Sequence, residues 1–138
     1  MRSVILALVI LTLAMALYLP LSPETQAANI SSLEPSHGPV GQTVQLEGSV
    51  TCGNNYQVYW DSSDQPANLL TQGKSGAGCT IFIEIKIPEA VKGKHRIILR
   101  DVEEGTEVFQ YFTIIPAINA SALSGTTGTT INITGTGF

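Results

Sequence analysis

A glycine-containing stretch at residues 38–48 recurs at residues 125–135, and the alignment of the two copies needs no gap. Each matched pair is separated by the same 87 residues. The matched pairs are Gly38 with Gly125, Gly41 with Gly128, Thr43 with Thr130, Val44 with Ile131, Leu46 with Ile133 and Gly48 with Gly135. Recurrence at one fixed offset indicates two copies of one structural unit, so the chain is predicted to be modular.

Within the first copy, the pattern is typical of a turn followed by a β-strand. Gly38-Pro39 and Gly41 suit a turn, because glycine allows a positive φ and proline fixes its own φ. Residues 43–47 then alternate, with Val44 and Leu46 on one side and polar residues on the other, as in a strand with one buried face. Gly48 is predicted to end this strand. A turn, a strand and a glycine in this order are typical of the opening of a β-sandwich module.

The motif Pro-Ser-x-Gly-Pro-Val-Gly-x-Thr-Val-x-Leu-x-Gly at residues 35–48 resembles the opening of the IPT/TIG family. These immunoglobulin-like domains occur in plexins and transcription factors, and bacterial and archaeal surface proteins carry them in tandem. The second copy continues as Gly135-Thr136-Gly137-Phe138, which is similar to the family's Gly-x-Gly-Phe, whereas the first copy departs after Gly48. The resemblance covers about residues 29–138 and implies an immunoglobulin-like β-sandwich of the E-set type.

The rest of the chain favours strands separated by turns, so an all-β fold is predicted. The first strand is predicted at 29–33 and the second at 43–48, with an extension to Thr51 as the alternative. Further strands are predicted at 56–61, 79–87, 94–101 and 106–115, with a short edge strand at 67–70. The predicted organisation is a signal-peptide helix at 1–27, a complete sandwich domain at 28–115, and the truncated start of a second sandwich at 116–138.

The first residues are typical of a secretory signal peptide. Met1-Arg2 is a short positive start, residues 3–19 form an uncharged apolar segment, and Thr25-Gln26-Ala27 offers small residues for cleavage. The alternative is a retained membrane anchor, since the apolar segment approaches the roughly 20 residues that span a bilayer. A secreted or cell-surface location is predicted.

The charge balance argues against a nucleic-acid partner. The chain has 7 Lys and Arg against 11 Asp and Glu, a formal net charge of −4. An acidic domain repels phosphate backbones, so it lacks the electrostatic footprint of a nucleic-acid-binding protein.

The two cysteines, Cys52 and Cys79, are predicted to form a disulfide, which is the usual pairing in an exported chain. The alternatives are a metal site or a nucleophile, but a structural zinc site needs more ligands than two thiols supply without a nearby histidine. Cys52 follows the second strand and Cys79 begins the isoleucine-rich strand. Those two strands pair antiparallel in a sandwich of this type, so the bridge is expected to join neighbours within one sheet.

Residues suited to catalysis are not grouped in any recognisable motif, so the chain is predicted not to be an enzyme and to need no cofactor or metal. His37 and His95 are expected to be solvated or at a strand edge. Asp101, Glu103 and Glu104 cluster at one turn, where calcium is conceivable but a solvated turn is favoured because the spacing of a calcium loop is missing.

These features favour a structural or adhesive module of a secreted or cell-surface protein, which spaces or presents other domains. Its predicted partners are other domains of the same chain, surface proteins or glycans. The alternative is a carbohydrate-binding module of a secreted glycan-processing enzyme, with Tyr56, Tyr59, Phe82 and Tyr111 as candidate stacking residues. Trp60 is interpreted as a core residue of the sandwich rather than a sugar platform.

Overall fold

The structure is a computed structural model that describes residues 27–138. The predicted signal segment, residues 1–27, lies outside the described residues except for its last residue. Across the described range, no helix has the length and apolar character needed to cross a membrane.

Alternating apolar and polar residues form β-strands throughout the described range, as the sequence predicts. The strands are β1 (Asn29–Glu34), β2 (His37–Gly38), β3 (Thr43–Ser49), β4 (Asn55–Trp60), β5 (Leu69–Lys74), β6 (Thr80–Lys86), β7 (Gly93–Asp101), β8 (Glu107–Ile114), β9 (Ala117–Ala120) and β10 (Ile133–Thr136). A single 3₁₀ turn at Pro66–Asn68 accompanies them within residues 27–138. The all-β prediction is confirmed.

Two sheets pack face to face around one core. The first has the order β1-β3-β6, and the second has the order β2-β8-β7-β4-β5. All neighbours pair antiparallel except β2, which pairs parallel with β8. The chain therefore contributes its first strand to one sheet and crosses to the other sheet at β2.

The inward faces of the two sheets supply a continuous apolar core. The core residues are Leu33, Val44, Leu46, Val50, Val58, Trp60, Ile81, Ile85, Ile87, Ile97, Leu99, Phe112 and Ile114. Trp60 is 7% exposed and lies 6.4 Å from Phe112 between ring centroids. The interpretation of Trp60 as a core residue is confirmed, because burial of its ring leaves no face for a sugar.

Strand boundaries differ from the sequence prediction by one residue at most ends and more widely at the edge strand. The short edge strand predicted at 67–70 is instead a longer strand, Leu69–Lys74, which follows the 3₁₀ turn at Pro66–Asn68. Proline favours the first turn of a helix, so Pro66 starts this turn where a strand was predicted. The second strand, β3, ends at Ser49, between the predicted end at Gly48 and the alternative end at Thr51.

Position 48 lies inside β3 and requires glycine, because the neighbouring strand approaches it closely. β1 has a register shift between Ile30 and Ser32, and a Cβ on Gly48 would lie less than 3 Å from the backbone oxygen of Asn29. We expect Gly48→Ala to lower the free energy of unfolding by about 1–3 kcal/mol, because the backbone must move to relieve the overlap. Urea unfolding would measure this, with Gly76→Ala as the matched control, since a Cβ there meets no atom within 4 Å. Equal stability of the two variants would contradict the prediction.

The predicted disulfide is present and joins neighbouring strands of one sheet. Cys52 follows β3 and Cys79 precedes β6, with a Cα–Cα distance of 4.2 Å. Beside the bridge, the Val50 N–H donates to the Cys79 carbonyl at 3.2 Å, which extends the pairing of β3 with β6. Both sequence predictions about the cysteines, the pairing and its place within one sheet, are therefore confirmed.

The turn before β3 and the turn before β10 have the same hydrogen bond and the same special glycine. Gln42 N–H donates to the Pro39 carbonyl at 3.2 Å, and Thr129 N–H donates to the Thr126 carbonyl at 3.0 Å. Gly41 has φ 81° and Gly128 has φ 92°, a region that glycine enters without steric cost.

The pairing of β9 with β10 also matches the pairing of β1 with β3. Leu33 lies opposite Leu46 in the first pair, and Ala120 lies opposite Ile133 in the second. Each residue of the second pair is 87 positions after its counterpart. The correspondence seen in the sequence thus extends to backbone conformation and strand register.

Candidate functional site

The outer face of the five-stranded sheet displays aromatic and basic side chains together. On β7, residues 94, 96, 98 and 100 point away from the core, because Ile97 and Leu99 are fully buried between them. On β8, Phe109 and Tyr111 point the same way, opposite the buried Phe112. The two strands pair with Arg96 opposite Tyr111 and Ile98 opposite Phe109.

The exposed part of this surface is here named the cationic-aromatic face and consists of Lys94, Arg96, Phe109 and Tyr111. The two rings are 48% and 49% exposed and meet edge to face, with centroids 5.4 Å apart. Lys94 Nζ lies 5.7 Å from the Tyr111 ring centroid, and Arg96 Cζ lies 5.7 Å from that of Phe109. Each cation is therefore held against a ring, an arrangement that the negative ring face favours.

Arg96 is fixed in place through Asp61, the residue that follows β4. Its backbone N–H donates to Asp61 Oδ1 at 2.9 Å, and its Nη2 donates to the Asp61 carbonyl at 2.6 Å. Asp61 adopts φ 61°, a left-handed conformation that aspartate tolerates better than most residues. The position of the guanidinium on the cationic-aromatic face is thus set by the way the chain leaves β4.

His95 lies on the other side of β7 and is half-buried rather than solvated. Its ring stacks on Trp60 with centroids 4.9 Å apart, and its side chain is only 12% exposed. Nδ1 donates to Asp61 Oδ2 at 2.8 Å, and Nε2 donates to the Val91 carbonyl at 2.9 Å. The expectation of a solvated or edge histidine is therefore wrong for His95, since β7 is an interior strand, whereas His37 is exposed as expected.

Both ring nitrogens of His95 face acceptors, so the doubly protonated imidazolium fits this site best. Burial works against the charged form, but the hydrogen bonds to Asp61 and Val91 and the charge of Asp61 outweigh it and raise the pKa of His95. The Asp61 carboxylate is therefore shared between the His95 ring and the Arg96 backbone, and links the core to the cationic-aromatic face.

We expect the stability of the domain to fall as the pH rises above neutrality. Because the folded-state pKa of His95 lies above the unfolded value, its stabilising effect is complete below about pH 6.5 and disappears as the pH rises through the raised pKa. Thermal unfolding of wild type and His95→Gln between pH 5 and 9 would measure this. His37→Gln is the matched control, because His37 is exposed. A wild-type curve parallel to that of His95→Gln over this range would contradict the prediction.

The four candidate stacking residues do not form one site. Phe82 is 74% exposed on the outer face of the three-stranded sheet, whereas Tyr111 lies on the outer face of the opposite sheet. Tyr59 is only 6% exposed and its hydroxyl donates to Gln57 Oε1, so the expectation of an exposed ring is wrong there. Tyr56 is half-buried and packs against the core.

Sequence patterns alone do not single out Phe109, Lys94 and Arg96 as candidate site residues. The available signal was the alternation on β7 and β8, in which basic residues on one strand and aromatic residues on the next share a side. The register of the two strands, which brings Arg96 opposite Tyr111, came only from the structure.

Asp101 is a buried anchor and not part of a solvated turn. Its carboxylate is fully buried and accepts hydrogen bonds from Thr51 N–H at 2.9 Å, Asn54 Nδ2 at 2.9 Å and Glu104 N–H at 3.3 Å. Burial opposes its ionisation, but these donors outweigh burial and lower the pKa of Asp101. Among the described residues, no group of three or more His, Cys, Asp or Glu side chains could hold a metal ion.

Comparison with known proteins gives little further information. No protein-family model matches the chain, and no curated protein matches it. One similar solved structure is a structural genomics protein of unknown function from Bacteroides thetaiotaomicron, with 23% identity and a TM-score of 0.49. The match covers 75% of this chain and 25% of that chain, so this chain spans about a quarter of that protein's length. The resemblance to the IPT/TIG family therefore stays a prediction.

Proposed function

We propose that this chain is a non-catalytic structural and adhesive part of an exported protein, built from tandem sandwich modules that space or present other domains. The observation that carries the proposal is the recurrence of one turn and one strand register 87 residues later in the chain. A second module beginning soon after the first ends is the arrangement found in rod-like arrays.

The junction between the two units supports a defined relative placement. Gly137 is buried, and a Cβ there would lie 2.9 Å from Ile114 Cγ2 and 3.4 Å from Pro116 Cα. The loop after β10 thus packs on the end of β8 and the linker residue, which favours a stiff connection over a free tether. We infer that the Gly-x-Gly-Phe segment acts as the contact between modules.

The topology favours an immunoglobulin-like assignment for the first unit. One sheet combines β1, β3 and β6, the other combines β2, β8, β7, β4 and β5, and the chain passes from the first to the second between β1 and β2. Antiparallel sheets of this order packed on a tryptophan-containing core are typical of immunoglobulin-like sandwiches. An E-set assignment within that group follows from the resemblance to the IPT/TIG family.

An extracytoplasmic location agrees with the disulfide. Disulfides persist in oxidising compartments and are rare in the cytosol. Together with the predicted export signal at residues 1–27, the Cys52–Cys79 bridge supports a secreted or surface-attached protein.

Small-angle scattering of residues 28–138 at high salt tests the modular arrangement. A compact globule of this length has a radius of gyration of about 13 Å. A second unit that projects from the end of the first predicts a clearly larger value and an asymmetric distance distribution. A radius of gyration at the compact value would mean that the second unit folds back over a sheet, and it would contradict the proposal.

Carbohydrate binding is a weaker second candidate, favoured by the half-exposed rings of Phe109 and Tyr111. The rings meet at an interplanar angle of 73°, and a cation lies over each, which reduces the ring surface that a sugar could stack on. A glycan array would decide between the candidates. Binding that is lost in Tyr111→Ser and kept in Phe82→Ser would favour the carbohydrate function.

A further inference from the structure

The cationic-aromatic face has the composition of a protein-binding surface. Aromatic residues and arginine are enriched at protein interfaces and dominate their binding energy. Lys94 and Arg96 form no salt bridge to a carboxylate side chain within residues 27–138. Their charges are therefore available, and a partner for this flat surface should carry carboxylates and an apolar group.

The outer face of the opposite sheet has that composition. Three carboxylates, those of Glu34, Glu47 and Glu84, line a groove of about 450 Å³ together with the exposed Phe82 and neighbouring side chains. This surface is here named the acidic groove. Glu47 lies directly opposite Phe82 across the strand pair, and Glu84 lies opposite Gln45. None of the three carboxylates forms a salt bridge within the described residues.

We propose that the cationic-aromatic face of one copy of this chain docks on the acidic groove of a second copy. Contact would place Lys94 and Arg96 against carboxylates and cover Phe82, Phe109 and Tyr111, which are at present 48–74% exposed. Like charges crowded on each face repel one another, and pairing the two faces relieves that repulsion.

Because the two faces lie on opposite sides of one sandwich, the contact is heterologous and repeats from copy to copy. Modules from different copies would stack side by side, sheet against sheet. The tandem units of one copy would follow one another along its chain. This proposal rests on the proposed function of an adhesive module and adds the partner, which is the protein itself.

Sedimentation velocity of residues 28–138 over a range of concentrations tests the docking. At about 20 mM salt we expect the sedimentation coefficient to rise with concentration, and at about 0.5 M salt, where exposed charges are screened, we expect a monomer. The association constant should fall at least tenfold between the two conditions. A monomer at every concentration in low salt would overturn the proposal.

Two charge reversals distinguish this contact from other association. Lys94→Glu with Arg96→Glu makes both faces acidic, and Glu47→Lys with Glu84→Lys makes both faces basic. Each variant alone should lose association by at least about tenfold, because every contact then joins like charges. An equimolar mixture should associate again to within about threefold of wild type, since each variant retains one native face that fits the other.

The controls test whether a loss of association comes from unfolding or from the change in net charge, and not from loss of the docking contact. Lys74→Glu with Lys92→Glu changes the net charge as much as the first variant but lies outside both faces, and should associate like wild type. Because Arg96 also holds Asp61, Lys94→Glu alone provides a second test if the double variant unfolds. Association that survives both reversals, or a mixture that stays monomeric, would overturn self-docking. Neither result would affect the modular shape, which scattering at high salt measures separately.

Discussion

Replacing Asp101 with alanine is expected to lower the free energy of unfolding by about 3 kcal/mol or more. The buried carboxylate accepts hydrogen bonds from Thr51, Asn54 and Glu104, and it ties the loop after β3 to the end of β7. Hydrogen bonds to a charged acceptor are strong, and the donors left behind are partly shielded from water. Urea unfolding at neutral pH, analysed with an unchanged m-value, measures the loss.

The loss of stability at low pH gives an independent check on the stabilising role of Asp101. Its folded-state pKa is lower than the unfolded value, so its contribution is present above about pH 4 and is lost as the pH falls through the lowered pKa. Asp101→Asn should therefore be less sensitive to pH in that range than wild type. Asp64→Asn is the matched control, because Asp64 is exposed. If Asp64→Asn destabilised the domain as much as Asp101→Asn, a buried anchor would be the wrong explanation.

Removal of the disulfide should have an effect of similar size. Cys52 and Cys79 are 27 residues apart, and opening a loop of this length adds conformational entropy to the unfolded chain worth roughly 3–4 kcal/mol. The variant Cys52→Ser with Cys79→Ser should show this loss in urea unfolding. The bridge connects strands already paired in one sheet, so the native fold is expected to survive.

Reduction of the wild-type protein provides the control for that substitution. A thiol reductant should lower the stability of wild type towards that of the double serine variant, and it should leave the variant itself unchanged. Equal stability of reduced and oxidised wild type would show that the bridge does not constrain the unfolded chain in the expected way.

Local sequence patterns predicted the strands in which one face is apolar and buried and the other is exposed. On β6, isoleucines at every second position face the core, while Thr80, Phe82, Glu84 and Lys86 face outwards. The alternation has a period of two and needs no information from other strands. The pairing of the cysteines was also predictable, because each of the two thiols has only the other as a possible partner within the chain.

The candidate site was far less predictable, because it depends on two strands at once. On β7, His95, Ile97 and Leu99 alternate with Arg96, Ile98 and Arg100, so both sets contain an apolar residue. Only the packing of the second sheet shows that Ile97 and Leu99 fill the core. The positions of Arg96 and His95, and hence the link through Asp61, follow from that choice.

The amino-acid sequence by itself determined the all-β class, the disulfide and the recurring turn, since these depend on residue types, short spacings and the conformational freedom of glycine. The tertiary structure decided which side of β7 is buried, that Asp101 is an anchor and Tyr59 is covered, and that aromatic and basic residues share one face. Those features arise from strand register and sheet packing, which bring together residues distant in the chain and cannot be read from any local pattern.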